Sequence, residues 1–500
     1  MKVPSSFLLP FVLLLGVLSG CGVQNVPTQP VGHVPTPGPS DPYVSSLSPS
    51  VVVGGGPAFT LTIMGANFAS GDSAYWAGPQ GCTITSTFVS STEVVAQVPA
   101  ACLIRPGVAT VTVEPVNPSP IQFGGQITIQ IPPLTGNQSY SLSMTPVQAN
   151  DMVWDPLSEQ FYLSVVVANG TNGNTITALN PSTRQFGISS AAGDIPDRLS
   201  LASDGSYLYA GMDGSNLVQR FTLPNLASDI SIPLGTDTFF STPYPYYPMD
   251  VAVDPASSHT VAVVRGVAAI SPREQGGVVL YDDAVQRPAT VPSFSTTTSN
   301  LPIDFLAWNP GGNQLYGSYS NVLSVISVDS TGLHVGTIYP AKFEAFGVLH
   351  YDAATGYLYA DTGQVIDPAT GTVIGTFPLS SPQGTLSPSV MIPDDTLHIA
   401  YFIGQTADLA GTQQYAIEAF DLTQFTPLGD TSISNVIGVP VKLLRWGTNG
   451  LAFLTTTGIG YPPESGNGVY FVQGDFVTSP ADRTHGTARD RNSSSAASHN

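Results

Sequence analysis

Positive charge is the scarcest property of this sequence. Lysine and arginine together number 14 against 34 acidic residues, for a net charge of −20, and the lysines are Lys2, Lys342 and Lys442. Nucleic-acid backbones are bound by clusters of basic side chains, which this composition does not supply. We therefore expect no nucleic-acid partner, and anionic lipid head groups are disfavoured for the same reason.

The sequence also lacks the short motifs that carry common catalytic chemistries. It contains no glycine loop followed by lysine, no H-E-x-x-H, no C-x-x-C, no EF-hand loop and no G-x-S-x-G. The histidines between the two chain ends are far apart in sequence: His259, His334, His350 and His398. We therefore expect each of these histidines to be hydrogen-bonded or exposed on its own rather than to belong to a catalytic or metal site. We predict no catalytic residue, no metal and no cofactor.

Cysteine is nearly absent, with only Cys21, Cys82 and Cys102 in 500 residues. Cys21 belongs to the leader discussed next, which would export the chain to an oxidising compartment where the other two are able to pair. We predict a disulfide between Cys82 and Cys102, closing a loop of about 20 residues worth roughly 3 kcal/mol. Two buried free thiols are the alternative.

The N-terminus has the layout of an export signal. Lys2 precedes an apolar run, Phe7–Leu18, that is too short to span a bilayer comfortably. The run ends in "LSGC", which resembles a bacterial lipobox and implies cleavage of residues 1–20 and lipid attachment to Cys21. An ordinary secretory signal with an incidental cysteine is the alternative. The resemblance implies a lipid-anchored protein of the bacterial cell envelope, attached to the membrane through this lipid only.

Low-complexity segments flank the folded part. Residues 21–42 contain six prolines, which favour an extended tether. Residues 478–500 have almost no large apolar side chain and are predicted to be disordered. In residues 43–133, alternating segments such as "FTLTIMG" (Phe59–Gly65) predict about seven strands of a small β-sandwich. The triplet Gly54–Gly56 then marks a loop between strands, because no helix pattern or lysine follows it.

The same segment resembles the IPT/TIG family of immunoglobulin-like domains. The resemblance is carried by "SLSP" (Ser46–Pro49), the glycine triplet, "TLTIMGANF" through Phe68, "SST" (Ser90–Thr92) and "VP" (Val98–Pro99). Such domains are usually spacers or interaction modules, so the resemblance implies no catalytic residue.

A second, longer segment is repetitive. A strand, a turn rich in Asp, Asn, Pro and Gly, and a strand with aromatic residues recur roughly every 50 residues, as in one propeller blade per repeat. Seven copies begin at Val153, Leu201, Val251, Leu306, Leu349, Val390 and Leu443. They predict an all-β chain in which residues 134–477 form a seven-bladed β-propeller, similar to propellers of the YVTN and WD40 kind.

Two details of the repeat carry further predictions. The last copy ends after its third strand, so the unassigned segment "SYSLSM" (Ser139–Met144) should supply the missing outer strand and close the ring. Acidic or amide residues also recur at one position, at Asp155, Asp204, Asp254, Asn309 and Asp352. A ring of carboxylates is one interpretation, but hydrogen bonds to nearby backbone amides in tight turns are the simpler one.

The most suggestive binding feature is the segment "DTFFSTPYPYYPMD", Asp237–Asp250, predicted to be a loop between the second and third blades. Its aromatic residues are Phe239, Phe240, Tyr244, Tyr246 and Tyr247. Aromatic faces held by prolines suit a sugar or a partner surface, whereas rings that merely cover the propeller are the alternative. The loop "GIGYPPESGNG" (Gly458–Gly468) is a weaker candidate of the same kind.

The combined pattern favours a non-enzymatic envelope lipoprotein whose propeller binds a protein or glycan, with the sandwich as spacer. A propeller enzyme of the lactonase, lyase or quinoprotein kind is the alternative, and a structural role in a surface layer is a third possibility. Two or more carboxylates with a His or Arg at one mouth of the central channel would favour the enzyme.

Overall fold

The computed structural model describes residues 41–53, 58–78, 82–103, 107–115, 124–130, 140–167, 173–239, 242–267, 274–292, 302–340, 343, 347–379, 389–407, 413–456 and 468–477. Cys21 with residues 1–40, the triplet Gly54–Gly56, Phe240, residues 457–467 and the tail 478–500 lie outside these ranges. Within them, strands are joined by turns and two short 3-10 helices, Ala100–Leu103 and Asp475–Val477. No helix in the described ranges has the length and apolarity needed to cross a membrane.

The first unit is a two-layer β-sandwich, as predicted. One sheet has the order β1-β3-β6-β5 and the other β2-β8-β7-β4. The strands are β1 Tyr43–Ser48, β2 Val51–Val53, β3 Phe59–Ala66, β4 Ser73–Ala77, β5 Thr85–Ser90, β6 Glu93–Val98, β7 Gly107–Glu114 and β8 Gly125–Gln130. The glycine triplet therefore separates two strands that belong to opposite sheets, and no helix follows it.

The core of the sandwich follows from the period of two in its strands. In β3, Leu61 and Ile63 are fully buried while Thr60 and Met64 face outward. They meet inward-facing side chains of the other sheet, such as Trp76 and Val111, in one apolar cluster. The sulfur atoms of Cys82 and Cys102 are joined at the edge of this cluster, with their Cα atoms 5.3 Å apart. The structure therefore contains the disulfide rather than two free thiols.

The second unit is a ring of seven sheets, each with four strands except for the third, which has five. In the first six sheets the chain runs through neighbouring strands in order, as in the blades of a propeller. Blade 1 contains β10 Ala149–Asp155, β11 Gln160–Val165, β12 Thr175–Leu179 and β13 Phe186–Ala191. Blade 2 contains β14 Pro196–Leu201, β15 Tyr207–Met212, β16 Leu217–Thr222 and β17 Ala227–Pro233. Blade 3 contains β18 Thr236–Phe239, β19 Thr242–Val253, β20 Thr260–Val267, β21 Glu274–Asp282 and β22 Val285–Gln286.

Blades 4 to 7 continue the same order. Blade 4 contains β23 Phe305–Trp308, β24 Gln314–Tyr319, β25 Val322–Asp329 and β26 Gly332–Tyr339, and blade 5 contains β27 Leu349–Tyr351, β28 Leu358–Ala360, β29 Gln364–Asp367 and β30 Thr372–Thr376. Blade 6 contains β31 Val390–Asp394, β32 Ile399–Ala407, β33 Gln413–Asp421 and β34 Pro427–Ile433. Blade 7 contains β35 Val439–Trp446, β36 Gly450–Thr456 and β37 Gly468–Gln473. Blade 7 is completed by β9 Ser141–Pro146, which pairs antiparallel with β37. The predicted closure is confirmed.

Apolar packing between blades makes the ring continuous. The described residues form seven further core clusters, and each one joins two adjacent blades, including blades 7 and 1. Buried tyrosines of the second strands add polar links: Tyr209 donates its hydroxyl to the Ser258 carbonyl at 2.9 Å, and Tyr401 donates to the Phe476 carbonyl at 3.2 Å. The aromatic residues of the repeat therefore stabilise the contacts between neighbouring blades.

The recurring acidic and amide residues act in turns, which confirms the simpler interpretation. Each accepts a hydrogen bond from a backbone amide two to five residues later, at 2.8 to 3.0 Å. The acceptors are Asp155, Asp204, Asp254, Asn309 and Asp352, with the amides of Leu157, Ser206, Ala256, Gln314 and Thr355 as donors. This local bonding satisfies backbone amides where the innermost strand of a blade turns into the second.

Candidate functional site

The aromatic segment Asp237–Asp250 is not a loop, so that prediction is wrong. β18 and the first part of β19 form an antiparallel hairpin, and β19 continues as the innermost paired strand of blade 3. The prolines explain the difference, because the φ angle that a proline ring imposes is compatible with an extended strand. The tyrosines between them therefore alternate between the two faces of a sheet.

The tyrosine rings of this hairpin are used in packing. Tyr246 is 7% exposed, lies in the core between blades 2 and 3, and has the Arg265 guanidinium 4.2 Å from its ring centre. Tyr247 packs against the core between blades 3 and 4, and Tyr244 against that between blades 2 and 3. The side chain of Phe239 and all of Phe240 lie outside the described part. The described rings thus fit the covering role better than that of a free binding face.

A different feature, which the sequence analysis did not identify, lies at one mouth of the propeller channel. An open cavity of about 1460 Å³ lies there, and it is lined by the ends of innermost strands and by the turns after them. Four aromatic side chains line it, which we call the mouth aromatics: Trp154, Trp308, Tyr351 and Trp446. The chain has only four tryptophans, so three of the four lie at this single place.

The mouth aromatics share one position of the repeat. Trp308, Tyr351 and Trp446 are the last residues of their innermost strands, and Trp154 is the last but one, as in "VWDP" and "AWNP". In the other three blades the corresponding residues are Leu201, Val253 and Pro393. The concentration of tryptophan at one repeat position was a signal available in the sequence.

Neighbouring groups fix the orientation of the aromatic rings. The Trp308 indole donates to the Ala252 carbonyl of the adjacent blade at 3.0 Å, and Trp446 donates to the Leu451 carbonyl at 3.2 Å. Trp154 meets Trp446 edge to face at 6.2 Å between ring centres, and Tyr351 stacks on Tyr316 at 5.5 Å. Trp154, Trp308 and Tyr351 remain half-buried, so part of each ring faces the cavity in a preset orientation.

Basic side chains in the lining of this cavity are all engaged by carboxylates. Arg445 donates to Asp394 at 2.5 Å, Lys442 to Asp151 at 2.6 Å, and His350 lies 3.3 Å from Asp361. These contacts neutralise the described basic groups of the mouth and leave little positive charge facing the cavity.

Two carboxylates of the lining, Asp352 and Asp395, face each other, and we call them the acidic pair. Asp352 is 2% exposed, and its Oδ2 accepts hydrogen bonds from the amide and hydroxyl of Thr355. Oδ1 of Asp352 is buried and, apart from the contact with Asp395, has no hydrogen-bond donor among the described residues. Asp395 is exposed at the mouth.

The close approach of the acidic pair changes how both groups titrate. The hydrogen bond to Asp352 raises the pKa of Asp395 to about 6, and burial and the negative charge of Asp352 add to the shift. Burial alone would raise the pKa of Asp352, but hydrogen bonds from Asp395 and Thr355 outweigh it and lower this pKa. The two carboxyls therefore share one proton below about pH 6.

Deeper in the channel, a second cavity of about 280 Å³ contains Asp151, Asp250 and Asp361 beside Arg198. Each carboxylate accepts a hydrogen bond from an amide of the next blade, namely those of Leu199, Leu306 and Met391, at 2.8 to 3.1 Å. Burial raises the pKa of Asp250 to about 6, although the positive charge of Arg198 opposes the shift. The channel therefore brings together carboxylates with an arginine and, through His350, a histidine.

The other described histidines are not part of the lining of either cavity. His259 contacts Asp283 at 2.7 Å and His334 contacts Asp329 at 3.1 Å, both at exposed turns. His398 has a positive φ of 53° in the turn after β31. Only His350 of the four lines either cavity.

Comparison with known families identifies the first unit. Residues 42–125 match the IPT/TIG domain. This match covers the β-sandwich, as the sequence resemblance implies, and it does not extend to the propeller. No curated protein matches the chain significantly.

Solved structures of low sequence identity also match this chain, and one of them is a β-propeller domain. The β-propeller domain of Cps50 (Swd1) from Myceliophteria thermophila is 11% identical, with 66% of this chain and 99% of that chain covered and a TM-score of 0.44. A chain of the mitotic checkpoint complex is 13% identical, with 72% and 99% covered and a TM-score of 0.44. A chain of Kuenenia stuttgartiensis hydrazine synthase is 14% identical, with 62% and 77% covered and a TM-score of 0.30.

Proposed function

We propose that this protein is a binding protein whose propeller takes up a ligand at the channel mouth lined by Trp154, Trp308, Tyr351 and Trp446. One observation carries the proposal: three of the four tryptophans of the chain surround one open cavity. Tryptophan offers a large contact area for little conformational entropy, and it is enriched where proteins bind ligands. A protein segment or a glycan is the expected class of ligand.

Size and rigidity of the cavity support this assignment. Pockets for small molecules usually enclose about 300–1,000 Å³, and the mouth cavity, at about 1460 Å³, is larger. It suits several sugar rings or a short stretch of peptide. Because hydrogen bonds and ring contacts already hold the mouth aromatics in place, binding costs little additional side-chain ordering.

The layout of the whole chain extends the proposal to a cellular setting. A lipid on Cys21, a proline-rich tether over residues 21–42 and the IPT/TIG domain would carry the propeller away from a bacterial envelope membrane. The support is the sequence "LSGC", the six prolines and the family match of the sandwich. Metabolic labelling with a palmitate analogue tests the anchor, since Cys21→Ser should abolish incorporation.

The binding proposal is tested by screening the full-length protein on glycan and peptide arrays, followed by titration of the strongest ligand. Trp308→Ala should weaken binding at least tenfold. The matched control is Tyr75→Ala, which removes an exposed aromatic ring from the sandwich and should leave the affinity unchanged. Equal affinities of the two variants, with unchanged circular dichroism, would refute the mouth as the binding site.

An enzyme is a second candidate, because the channel contains the combination of carboxylates and basic groups that favours it. Asp250, with a pKa of about 6, lies in the inner cavity near Arg198, whose buried Nε meets no acceptor among the described residues. Such a carboxylate is suited to proton transfer near neutral pH. A screen with ester, lactone and polyuronate substrates tests it, and Asp250→Asn should abolish any turnover that is found.

A further inference from the structure

The charges at the channel mouth are locally unbalanced. Within the described lining, Arg445, Lys442 and His350 each contact a carboxylate, whereas Asp352 and Asp395 contact each other. Two carboxylates in contact repel one another unless a proton or a cation lies between them. The acidic pair is therefore the place at the mouth where an added positive charge is most favourable.

The acidic pair also lacks a hydrogen-bond donor. When Asp395 is ionised, Oδ1 of Asp352 is buried and accepts no hydrogen bond from the described residues, which is unfavourable for a buried acceptor. The same residue is held firmly by Thr355 through its other oxygen. An incoming group with N–H donors would satisfy an acceptor whose position is already fixed.

We propose that the acidic pair of Asp352 and Asp395 binds a cationic nitrogen group of the ligand, an ammonium or a guanidinium. This inference rests on the proposed function and assigns the chemical class of the ligand at the same mouth. Such a group brings both the positive charge and the N–H donors that the pair lacks.

The aromatic lining supports the same ligand class. Tyr351 directly precedes Asp352 in the chain and stacks on Tyr316, so an aromatic ring lies beside one member of the acidic pair. Cations are attracted to the negatively polarised faces of aromatic rings. The net charge of −20 also attracts cations to this protein over long distances.

Two other occupants fit less well. A calcium ion prefers six or more oxygen ligands, which two carboxylates do not supply. The described residues also contain no group of three or more His, Cys, Asp or Glu that could hold a metal ion. A neutral sugar hydroxyl would donate a hydrogen bond but would leave two carboxylates uncompensated. The nitrogen cation satisfies both requirements at once.

The experiment uses the full-length protein and simple probes. Binding of arginine amide and of spermidine is measured by calorimetry and by tryptophan fluorescence, with citrulline amide as the neutral analogue of arginine amide. We expect the cations to bind at least tenfold more tightly than citrulline amide at pH 7.5. Asp395→Asn should remove this preference, whereas Asp204→Asn, which alters a turn carboxylate of blade 2 outside the cavity lining, should retain it.

The pH dependence provides a second readout. Because the cation displaces the shared proton, its affinity should fall below pH 6 by up to tenfold per pH unit, and Asp395→Asn should abolish this dependence. Other titratable groups around the pair are Asp394, which is bound to Arg445, and also His398 and Tyr359. His398→Gln is therefore measured in parallel and should retain the fall in affinity at low pH, because His398 is the smallest of the influences on Asp395.

Two results would overturn the inference. One is equal affinity for arginine amide and citrulline amide, and the other is equal cation binding by Asp395→Asn and Asp204→Asn. The inference and the proposed function fail separately. If array ligands still depend on Trp308 while Asp395→Asn has no effect, the mouth binds ligands but the acidic pair does not select cations.

Discussion

Val472 in β37 pairs with Leu142 in β9, so the last blade of the propeller is completed by a strand from the start of the same domain. Six residue pairs connect the two strands, from Gly468–Pro146 to Gln473–Ser141. A strand supplied from the other end of the domain removes the exposed edges that an open ring would leave.

Ring closure predicts a large loss of stability when β9 is removed. Deletion of Ser141–Pro146 should lower the melting temperature of the propeller by about ten degrees or more, because the outer edge of blade 7 and part of the core beside it become exposed. Differential scanning calorimetry measures the transition. Deletion of residues 478–500 is the control, and an unchanged melting temperature for the β9 deletion would contradict the account of closure.

The disulfide predicts a local effect on the sandwich. The double substitution Cys82→Ser with Cys102→Ser should destabilise that domain by about 3 kcal/mol, as expected for a closed loop of about 20 residues. Urea unfolding followed by fluorescence of Trp76, in a variant with Trp154, Trp308 and Trp446 replaced by phenylalanine, isolates this transition. Peptide mapping that recovers both cysteines as free thiols would show that the bond is absent.

The hairpin tyrosines predict stability effects rather than binding effects. Tyr246→Ala removes a 7% exposed ring from the core between blades 2 and 3 and should cost about 3 kcal/mol of propeller stability. The affinity for the strongest array ligand should stay within twofold. A loss of binding with an unchanged melting temperature would restore the hairpin as the binding site.

The acidic pair predicts an unusual pH dependence of stability. The pKa of Asp395 is about 6 in the folded chain and about 3.9 in the unfolded one, so the folded state binds more protons between these values. The protonated carboxyl of Asp395 therefore stabilises the folded state fully below about pH 3.9, and this stabilisation is lost as the pH rises through about 6. Asp395→Asn should therefore raise the melting temperature by about 2 °C at pH 7.5 and should not raise it at pH 4.

Asp204 provides a control of opposite sign for this titration. Hydrogen bonds from the hydroxyl and amide of Ser206 lower its pKa, so its contribution is present above the unfolded pKa and is lost as pH falls. Asp204→Asn should not raise the melting temperature at pH 7.5. A rise of equal size for both variants would point to general relief of negative charge rather than to the acidic pair.

Much of the fold could be predicted because its determinants are local and repeated. The alternation of Leu61 and Ile63 with polar neighbours specifies a half-buried strand, and the recurring Asp or Asn near the end of five innermost strands specifies a turn. Even the pairing of β9 with β37 could be inferred, because the last copy of the repeat lacked its fourth strand and the segment that forms β9 belonged to no copy. These signals need no knowledge of distant contacts.

The site could not be found in the same way, because it is assembled from blades that are far apart in sequence. Trp154 and Trp446 are neighbours only once the ring is closed, and Asp352 meets Asp395 only across the junction of blades 5 and 6. The proline-rich hairpin attracted attention instead, since proline and tyrosine in a row resemble a binding loop. The extended backbone that proline permits and the available space beside Arg265 decide where Tyr246 lies.

The most direct test of the channel mouth as the binding site is a hydrogen–deuterium exchange map of the full-length protein with and without its strongest array ligand. The account predicts protection in residues 153–157, 306–310, 350–356 and 394–398, where the innermost strands turn at the mouth. Protection confined to the β18–β19 hairpin or to the sandwich, with the mouth unchanged, would contradict it.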